Sequence, residues 1–198
     1  LYIVLVLNSL GVKKLLKIFA NALSNLDIKF AWIVNSDDGL DEISPYAKTN
    51  VIQLKDNKIT KKYEAILIGQ FKGNQRIETK IDSSTKEFLH KVQEGSEGKA
   101  AISEFKLINN LGSYSHVEIL IFTGRMHQIR VQSANINLPI VNDKKYGDFA
   151  SNKLIFKETG VSRLALHSSF IEFYDQEGLK VSYKAPIDKE FGILLGKL

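Results

Sequence analysis

The chain contains no cysteine. That excludes a disulfide framework, thiolate nucleophiles and cysteine-ligated metal centres. It fits a reducing compartment, so a cytoplasmic location is expected. The apolar run that opens the chain, Leu1 to Leu7, is far shorter than the roughly twenty residues a membrane helix needs. No basic segment precedes it and no small-residue cleavage site follows it, so it does not read as a signal peptide. It reads instead as a buried strand, and no membrane partner is expected. An initiator methionine is missing too, which points to a fragment. The sequence has no internal repeats and no low-complexity tract.

What is present is an ordinary globular composition with a basic balance. Of 198 residues, 44% are hydrophobic, enough for one substantial domain or two small ones. Lys and Arg outnumber Asp and Glu by 27 to 22, leaving a net charge of +5. Such a surface suits a polyanion such as nucleic acid.

The first sixty residues predict a strand–helix–strand unit. Residues 1–7 are apolar throughout and 28–34 are apolar but for Lys29, as buried strands are. Between them Leu15, Phe19, Ala22, Leu23 and Leu26 recur at helical spacing among Lys13, Lys14, Lys17 and Asn21, which predicts an amphipathic helix over 12–25. An acidic loop with Asp37, Asp38, Asp41 and Glu42 follows, and 50–53 reads as a further short strand.

The pattern changes near Lys61. Tyr63, Ala65 and Leu67 alternate with Glu64, Ile66 and Ile68, and 75–81, 101–108, 114–122, 163–174 and 179–185 are also strand-like. A helix is predicted over 124–137 with Thr123 as its N-cap, and a terminal helix over 188–197. Asn142-Asp143 and Tyr146-Gly147-Asp148 read as turns. Many strands and few helices predict an α+β domain with a mixed, largely antiparallel sheet and flanking helices.

Residues 123–130, Thr-Gly-Arg-Met-His-Gln-Ile-Arg, concentrate the polar chemistry. On a helix, Arg125 and Gln128 would share one side of the first turn and His127 and Arg130 a neighbouring one. At a helix start that arrangement suits an anion. The other reading is a solvated polar face, with Arg130 paired to a nearby carboxylate.

This segment, with Leu-Pro-Ile-Val-Asn-Asp-Lys-Lys-Tyr-Gly-Asp at 138–148, resembles the signature region of RluA-type pseudouridine synthases. Lys61-Lys62-Tyr63-Glu64-Ala65, Gly98-Lys99-Ala100-Ala101 with Phe105, and Arg163-Leu164-Ala165-Leu166-His167 are similar to three further family segments, in order. The resemblance implies a pseudouridine synthase-like domain over 61–198 that isomerises uridine in large-subunit (23S-type) ribosomal RNA, as a monomer and without a cofactor. It implies that Tyr63 packs against the base and that Arg130 orients the catalytic aspartate. It implies that Leu166 lines the pocket, and that Arg125, His127 and Gln128 contact RNA or support the scaffold. The family carries its aspartate in a His-Arg-Leu-Asp segment before the Lys-x-Tyr strand, and these 198 residues have no counterpart of it. The expectation is RNA binding without measurable isomerisation, and a non-catalytic RNA-binding module is the alternative.

The front of the chain is similar to something else. Phe30-Ala31-Trp32-Ile33-Val34-Asn35-Ser36-Asp37-Asp38-Gly39-Leu40-Asp41-Glu42-Ile43-Ser44, within about 10–60, resembles a fragment of anthranilate phosphoribosyltransferase. That resemblance gives a third reading, a phosphoribosyltransferase remnant, and implies a magnesium-binding pair at Asp41 and Glu42, as paired carboxylates suit a hard cation. The alternative is a solvated turn, because the family's Gly-rich pyrophosphate loop is missing. The expected organisation is therefore two segments, 1–60 and 61–198.

Overall fold

The structure is a computed structural model. It describes the backbone of residues 2–7, 29–34 and 51–53, and residues 59–81, 98–174 and 178–198 in full. The chain divides into two compact units, Leu1–Ile59 with Phe173–Val181, and Thr60–Glu172 with Ser182–Leu198.

In the first unit, β1 (Tyr2–Leu7), β2 (Lys29–Val34) and β3 (Val51–Gln53) form a parallel sheet in that order. Tyr2 aligns with Lys29 and Trp32 with Val51. Adjacent parallel strands need a crossover connection. The helix expected over 12–25 lies outside the described residues, as do Asp41 and Glu42.

The larger unit is built on a six-stranded sheet in the order β5-β6-β7-β4-β8-β9. Its strands are β4 (Thr60–Ile68), β5 (Asn74–Ile81), β6 (Lys99–Leu111), β7 (Tyr114–Ile121), β8 (Leu166–Tyr174) and β9 (Lys180–Lys184). The β5–β6, β6–β7, β4–β7 and β4–β8 pairings are all antiparallel. Among the described residues, three helices flank the sheet: α1 (Gln128–Asn135), α2 (Phe149–Thr159) and α3 (Lys189–Lys197). This is the α+β architecture that the alternating pattern predicts.

Register assigns the two faces. Tyr63 and Ala65 share one face with Ile119 and Val117 of β7, and with Ser168 and Leu166 of β8. Ser103 and Phe105 of β6 continue that face, and α1 covers it. Glu64 and Ile66 lie on the opposite face with His116 and His167. There Phe191 of α3 packs its ring 5.9 Å from His116 and 6.0 Å from His167. Because both faces are covered, Ala65, Ile66 and Leu67 are all fully buried, whichever way each points. Phe71, Phe105, Ile119, Ile140, Ile155 and Phe191 complete the core.

Two predicted elements need correction. The helix expected over 124–137 begins only at Gln128 and ends at Asn135. Thr123 does not cap it: its hydroxyl accepts the Ile102 N–H at 2.9 Å and donates to Gln128 Oε1 at 2.7 Å, so it fastens the turn to β6. The strand expected from 163 starts at Leu166. In addition, α2 was not anticipated from the sequence.

Candidate functional site

The residues at 123–130 do not form one helical turn. His127 occupies the N-cap position of α1 with φ 56°, in the left-handed region, and makes no side-chain cap hydrogen bond. Residues 123–126 are a turn that separates Arg125 from the helix. Arg125 is exposed, with its Nε donating to the Ala100 carbonyl at 3.0 Å. Gln128 is buried, and its amide is committed to the scaffold. Its Oε1 accepts from Thr123 and from the Arg125 N–H, while its Nε2 donates to Ile102 O at 3.0 Å and Ser103 Oγ at 2.8 Å.

One turn later, Gln132 repeats the device with no exposure at all. Its Nε2 donates to the Ile77 and Ala101 carbonyls and its Oε1 accepts from Ser103 Oγ at 2.7 Å. The Ser103 hydroxyl thus links both glutamines. Together they fix the rotation of α1 over β5 and β6, and with it the direction of Arg130.

Arg130 meets Asp143 side-on, Nε to Oδ2 at 2.8 Å and Nη2 to Oδ1 at 2.7 Å. This bidentate geometry is the strongest form of the guanidinium–carboxylate contact. The Asp143 side chain has no solvent exposure, whereas Arg130 keeps 18% of its own. Burial alone would raise the Asp143 carboxyl. The hydrogen bonds from Arg130 and from the Tyr146 and Lys145 N–H groups outweigh it, leaving the pKa below the ordinary aspartate value. The same pairing holds the Arg130 guanidinium above its usual value. Of the sequence alternatives for Arg130, pairing with a nearby carboxylate is what the structure shows.

The loop carrying Asp143 is fixed from several sides. Val141 bridges two strands: its N–H donates to Ile66 O at 2.9 Å, and its carbonyl accepts the Ala165 N–H at 3.0 Å. Asn142 adopts φ 61°, a conformation asparagine tolerates, and its Nδ2 donates to the Val161 and Arg163 carbonyls. These ties seat Asp143 beside the chain that enters β8 at Leu166.

Tyr146 closes the site from above. Its ring centroid lies 4.9 Å from the Arg130 guanidinium carbon and 5.3 Å from Lys145 Nζ, both within cation–π range. Its hydroxyl is 3.0 Å from His127 Nδ1. Burial, followed by the Arg130 and Lys145 charges, pushes the His127 pKa down against the pull of Asp143.

Tyr63 is half-buried in the centre of the sheet. Register places it diagonally across from the half-buried Leu166 on the face covered by α1. The β4–β8 register shifts between Lys62 and Tyr63; irregularities of this kind, such as β-bulges, re-aim side chains. Burial raises the Tyr63 phenol, while a hydrogen bond with Ser168 pulls it the other way.

Sequence reasoning missed Asp143, Tyr146 and Gln132 as working parts. The readable signal for Asp143 was an acid in a short Asn-Asp turn, with Tyr146-Gly147 three residues on. Among the described residues, no group of three His, Asp or Glu side chains is placed to hold a metal ion. No helix among them is long and apolar enough to cross a membrane.

A family model described as RNA pseudouridylate synthase matches residues 46–135. Ribosomal large subunit pseudouridine synthase D of Pseudomonas aeruginosa is 30% identical over 155 residues, 75% of this chain and 48% of that protein. Ribosomal large subunit pseudouridine synthase C of Buchnera aphidicola subsp. Schizaphis graminum is 34% identical over 149 residues, 74% of this chain and 48% of that protein. The chain thus spans about half the length of these curated relatives. Among solved structures, human RNA Pseudouridylate Synthase Domain Containing 4 shares the fold, with a TM-score of 0.56 and 20% identity over 71% of this chain and 62% of that one. The front of the chain is 88% identical over 48 residues to anthranilate phosphoribosyltransferase of Pelagibacter ubique, 24% of this chain and 14% of that protein. The family model runs through β4, β6, β7 and α1, which hold Tyr63 and Arg130, and by these matches the part of the chain that they cover belongs to the RluA-type RNA pseudouridine synthases.

Proposed function

We propose that residues 61–198 are the uridine-binding domain of a pseudouridine synthase that acts on large-subunit ribosomal RNA. The observation that carries this reading is the Arg130–Asp143 pair beneath Tyr146. Asp143 takes two of the five N–H groups of a guanidinium. The remaining, partly exposed edge of Arg130 is the one that a catalytic carboxylate would use. An opposite charge a few ångströms away keeps such a carboxylate ionised and oriented.

The reaction breaks the bond between uracil N1 and the ribose C1′, turns the base, joins C5 to C1′, releases the C5 proton and leaves a proton on N1. The target uridine leaves its stack first, at a cost of a few kcal/mol. In this reading Tyr63 packs on the flipped base and Leu166 forms the pocket wall. Arg125 meets the RNA backbone, and His127 and Gln128 support the site through Tyr146 and Ser103. No step requires a cofactor.

These 198 residues supply the cleft but not the His-Arg-Leu-Asp segment. The proposal is therefore that the chain, a cytoplasmic monomer, binds structured RNA and does not isomerise it at a measurable rate. Loss of a catalytic group lowers a rate by several orders of magnitude. Tritium release from 5-tritiated uridine RNA tests this. Release at an ordinary enzyme rate would show that another carboxylate of this chain does the work. Absence of salt-dependent RNA binding would remove the reading altogether.

Residues 1–60 are, in the same proposal, a segment of separate descent from 61–198, on the strength of its phosphoribosyltransferase-like sequence. Genomic DNA read across residues 55–65 tests whether both halves belong to one gene.

A further inference from the structure

α2 leaves an aromatic–basic stripe in solvent. The helix buries Ile155 and Thr159 and leaves the flank beside them in solvent. Phe149 is 67% exposed and Phe156 53%. Seven residues separate them, which brings both to nearly the same angle on an α-helix. Lys153 lies between them on that flank and Lys157 stands one turn beyond it; both are exposed. The nearby carboxylates are placed elsewhere. Asp148 accepts the Ser151 N–H as the N-cap, and Glu158 falls on the other side of the helix, by helical spacing.

The stripe is continuous with the site. Two further exposed lysines, Lys144 and Lys145, connect it to Asp143, and Lys145 lies 5.3 Å from the Tyr146 ring that covers Arg130. Positive charge therefore runs from Lys144 and Lys145 along the loop and out over α2. Apolar patches that dock proteins are depleted in lysine. Exposed aromatics interleaved with lysines are instead the pattern of a surface that stacks bases and tracks phosphates. The separation of Phe149 and Phe156 is about 10 Å along the axis, at 1.5 Å per residue. That is roughly three nucleotide spacings of a stacked strand, at 3.4 Å each.

We propose that Phe149, Lys153, Phe156 and Lys157 form a docking strip for single-stranded RNA flanking the target uridine. The two rings stack bases and the lysines take the intervening phosphates. This rests on the RNA-binding reading above and adds a specific surface to it.

The experiment uses the full 198-residue chain and two labelled probes, an RNA hairpin with a uridine-rich loop and a blunt RNA duplex of equal length. Affinity is measured across a salt series for the unaltered chain, for Phe149→Ala/Phe156→Ala and for Lys153→Gln/Lys157→Gln. The aromatic double variant is expected to bind the hairpin at least tenfold more weakly, given the roughly 1–3 kcal/mol per stacked base that alanine substitution removes. Its duplex affinity should be unchanged. The lysine double variant is expected to lower the slope of log affinity against log salt by about 1.4, from roughly 0.7 per phosphate on a single strand. All four positions are exposed, so melting temperatures should not move; if the aromatic pair perturbs folding, the lysine pair still decides. Hairpin affinity unchanged in both variants, while the parent chain binds, overturns the docking strip and leaves the RNA-binding reading intact. A change in sedimentation without a change in hairpin affinity overturns it in favour of a protein partner or a second copy. A parent chain that binds neither probe overturns both.

Discussion

Arg130 and Asp143, thirteen residues apart, close on each other through two parallel hydrogen bonds of 2.7 and 2.8 Å, and the aspartate has no exposure of its own. A carboxylate in that position cannot meet RNA directly. Its effect is to fix the plane of the guanidinium and to hold the loop through the Lys145 and Tyr146 N–H groups. Asp143→Asn keeps the shape and removes the charge. Taking away one partner of a buried pair costs about 3–5 kcal/mol, and the partial exposure of Arg130 brings the expectation to about 2–4 kcal/mol. Urea unfolding of both proteins at pH 7 measures it. A loss below about 0.5 kcal/mol would mean that the pair contributes no more than a surface contact.

The same pair predicts an acid limit. The folded pKa of Asp143 lies below its unfolded value. Its contribution to stability is therefore complete above roughly pH 4, near the unfolded aspartate pKa, and is lost as pH falls through the depressed folded value. Between pH 5 and pH 2.5 the melting temperature of the parent chain should fall more steeply than that of Asp143→Asn. Parallel curves would assign the acid sensitivity to other carboxylates.

His127 predicts a second, separate pH dependence. Its folded pKa lies below the unfolded one, so the folded chain binds fewer protons. Stability is intact above about pH 6.5, the unfolded histidine value, and declines as pH drops through it. His127→Asn suits the left-handed φ of 56° and no longer titrates. At pH 8 the parent should be more stable, by about 1 kcal/mol for the hydrogen bond to Tyr146. At pH 5 that gap should narrow. A gap independent of pH would show that the ring protonates without cost.

These properties differ in how far the sequence reveals them. Alternation exposed β5 and β6, because an antiparallel sheet with one covered face writes burial into every second residue. It was blind to α2. That helix buries only Ile155 and Thr159 and exposes Phe149, Leu154 and Phe156, so it has no apolar stripe pointing inward. The signals available were its ends, Asp148 as N-cap and Gly160 at φ 74°. The start of α1 was misplaced for a related reason. Thr123 has the chemistry of a cap, but β6 offers its hydroxyl a better partner at Ile102. Arg130 was legible as a site residue, whereas the carboxylate holding it is set by loop closure, which no local period records.

Gln132 tests the scaffold beneath the site. Its amide satisfies Ser103 Oγ and the carbonyls of Ile77 and Ala101 in a fully buried position. Gln132→Leu fills similar volume and takes its hydrogen bonds away from the two carbonyls and from Ser103 Oγ, which keeps only the Gln128 amide. Each unsatisfied buried group costs roughly 1–3 kcal/mol, so a total of about 2–4 kcal/mol is expected after partial relaxation. The urea midpoint should fall with the slope unchanged. Gln128 shares Ser103, so the double variant with Gln128→Leu should cost less than the two single losses added. Strict additivity would mean that the two glutamines act independently.

Gly147 sets how closely the Asp143 loop can fold on itself. Its N–H donates to the Asp143 carbonyl at 3.2 Å, and Asn152 Nδ2 donates to the same oxygen at 3.1 Å. A Cβ at 147 would collide with that carbonyl, a backbone atom with no rotamer to retreat into. Gly147→Ala must therefore shift the loop, at about 1–3 kcal/mol for overpacking. Gly196→Ala is the control: it lies in α3 with no atom within 4 Å of a new Cβ, and there alanine should be neutral or stabilising. Because the shift at 147 acts through Asp143, the penalty of Gly147→Ala should shrink in the Asp143→Asn background, whose ion pair is already gone. A penalty of equal size in both backgrounds would mean that the glycine serves the turn alone and has no part in aligning Arg130.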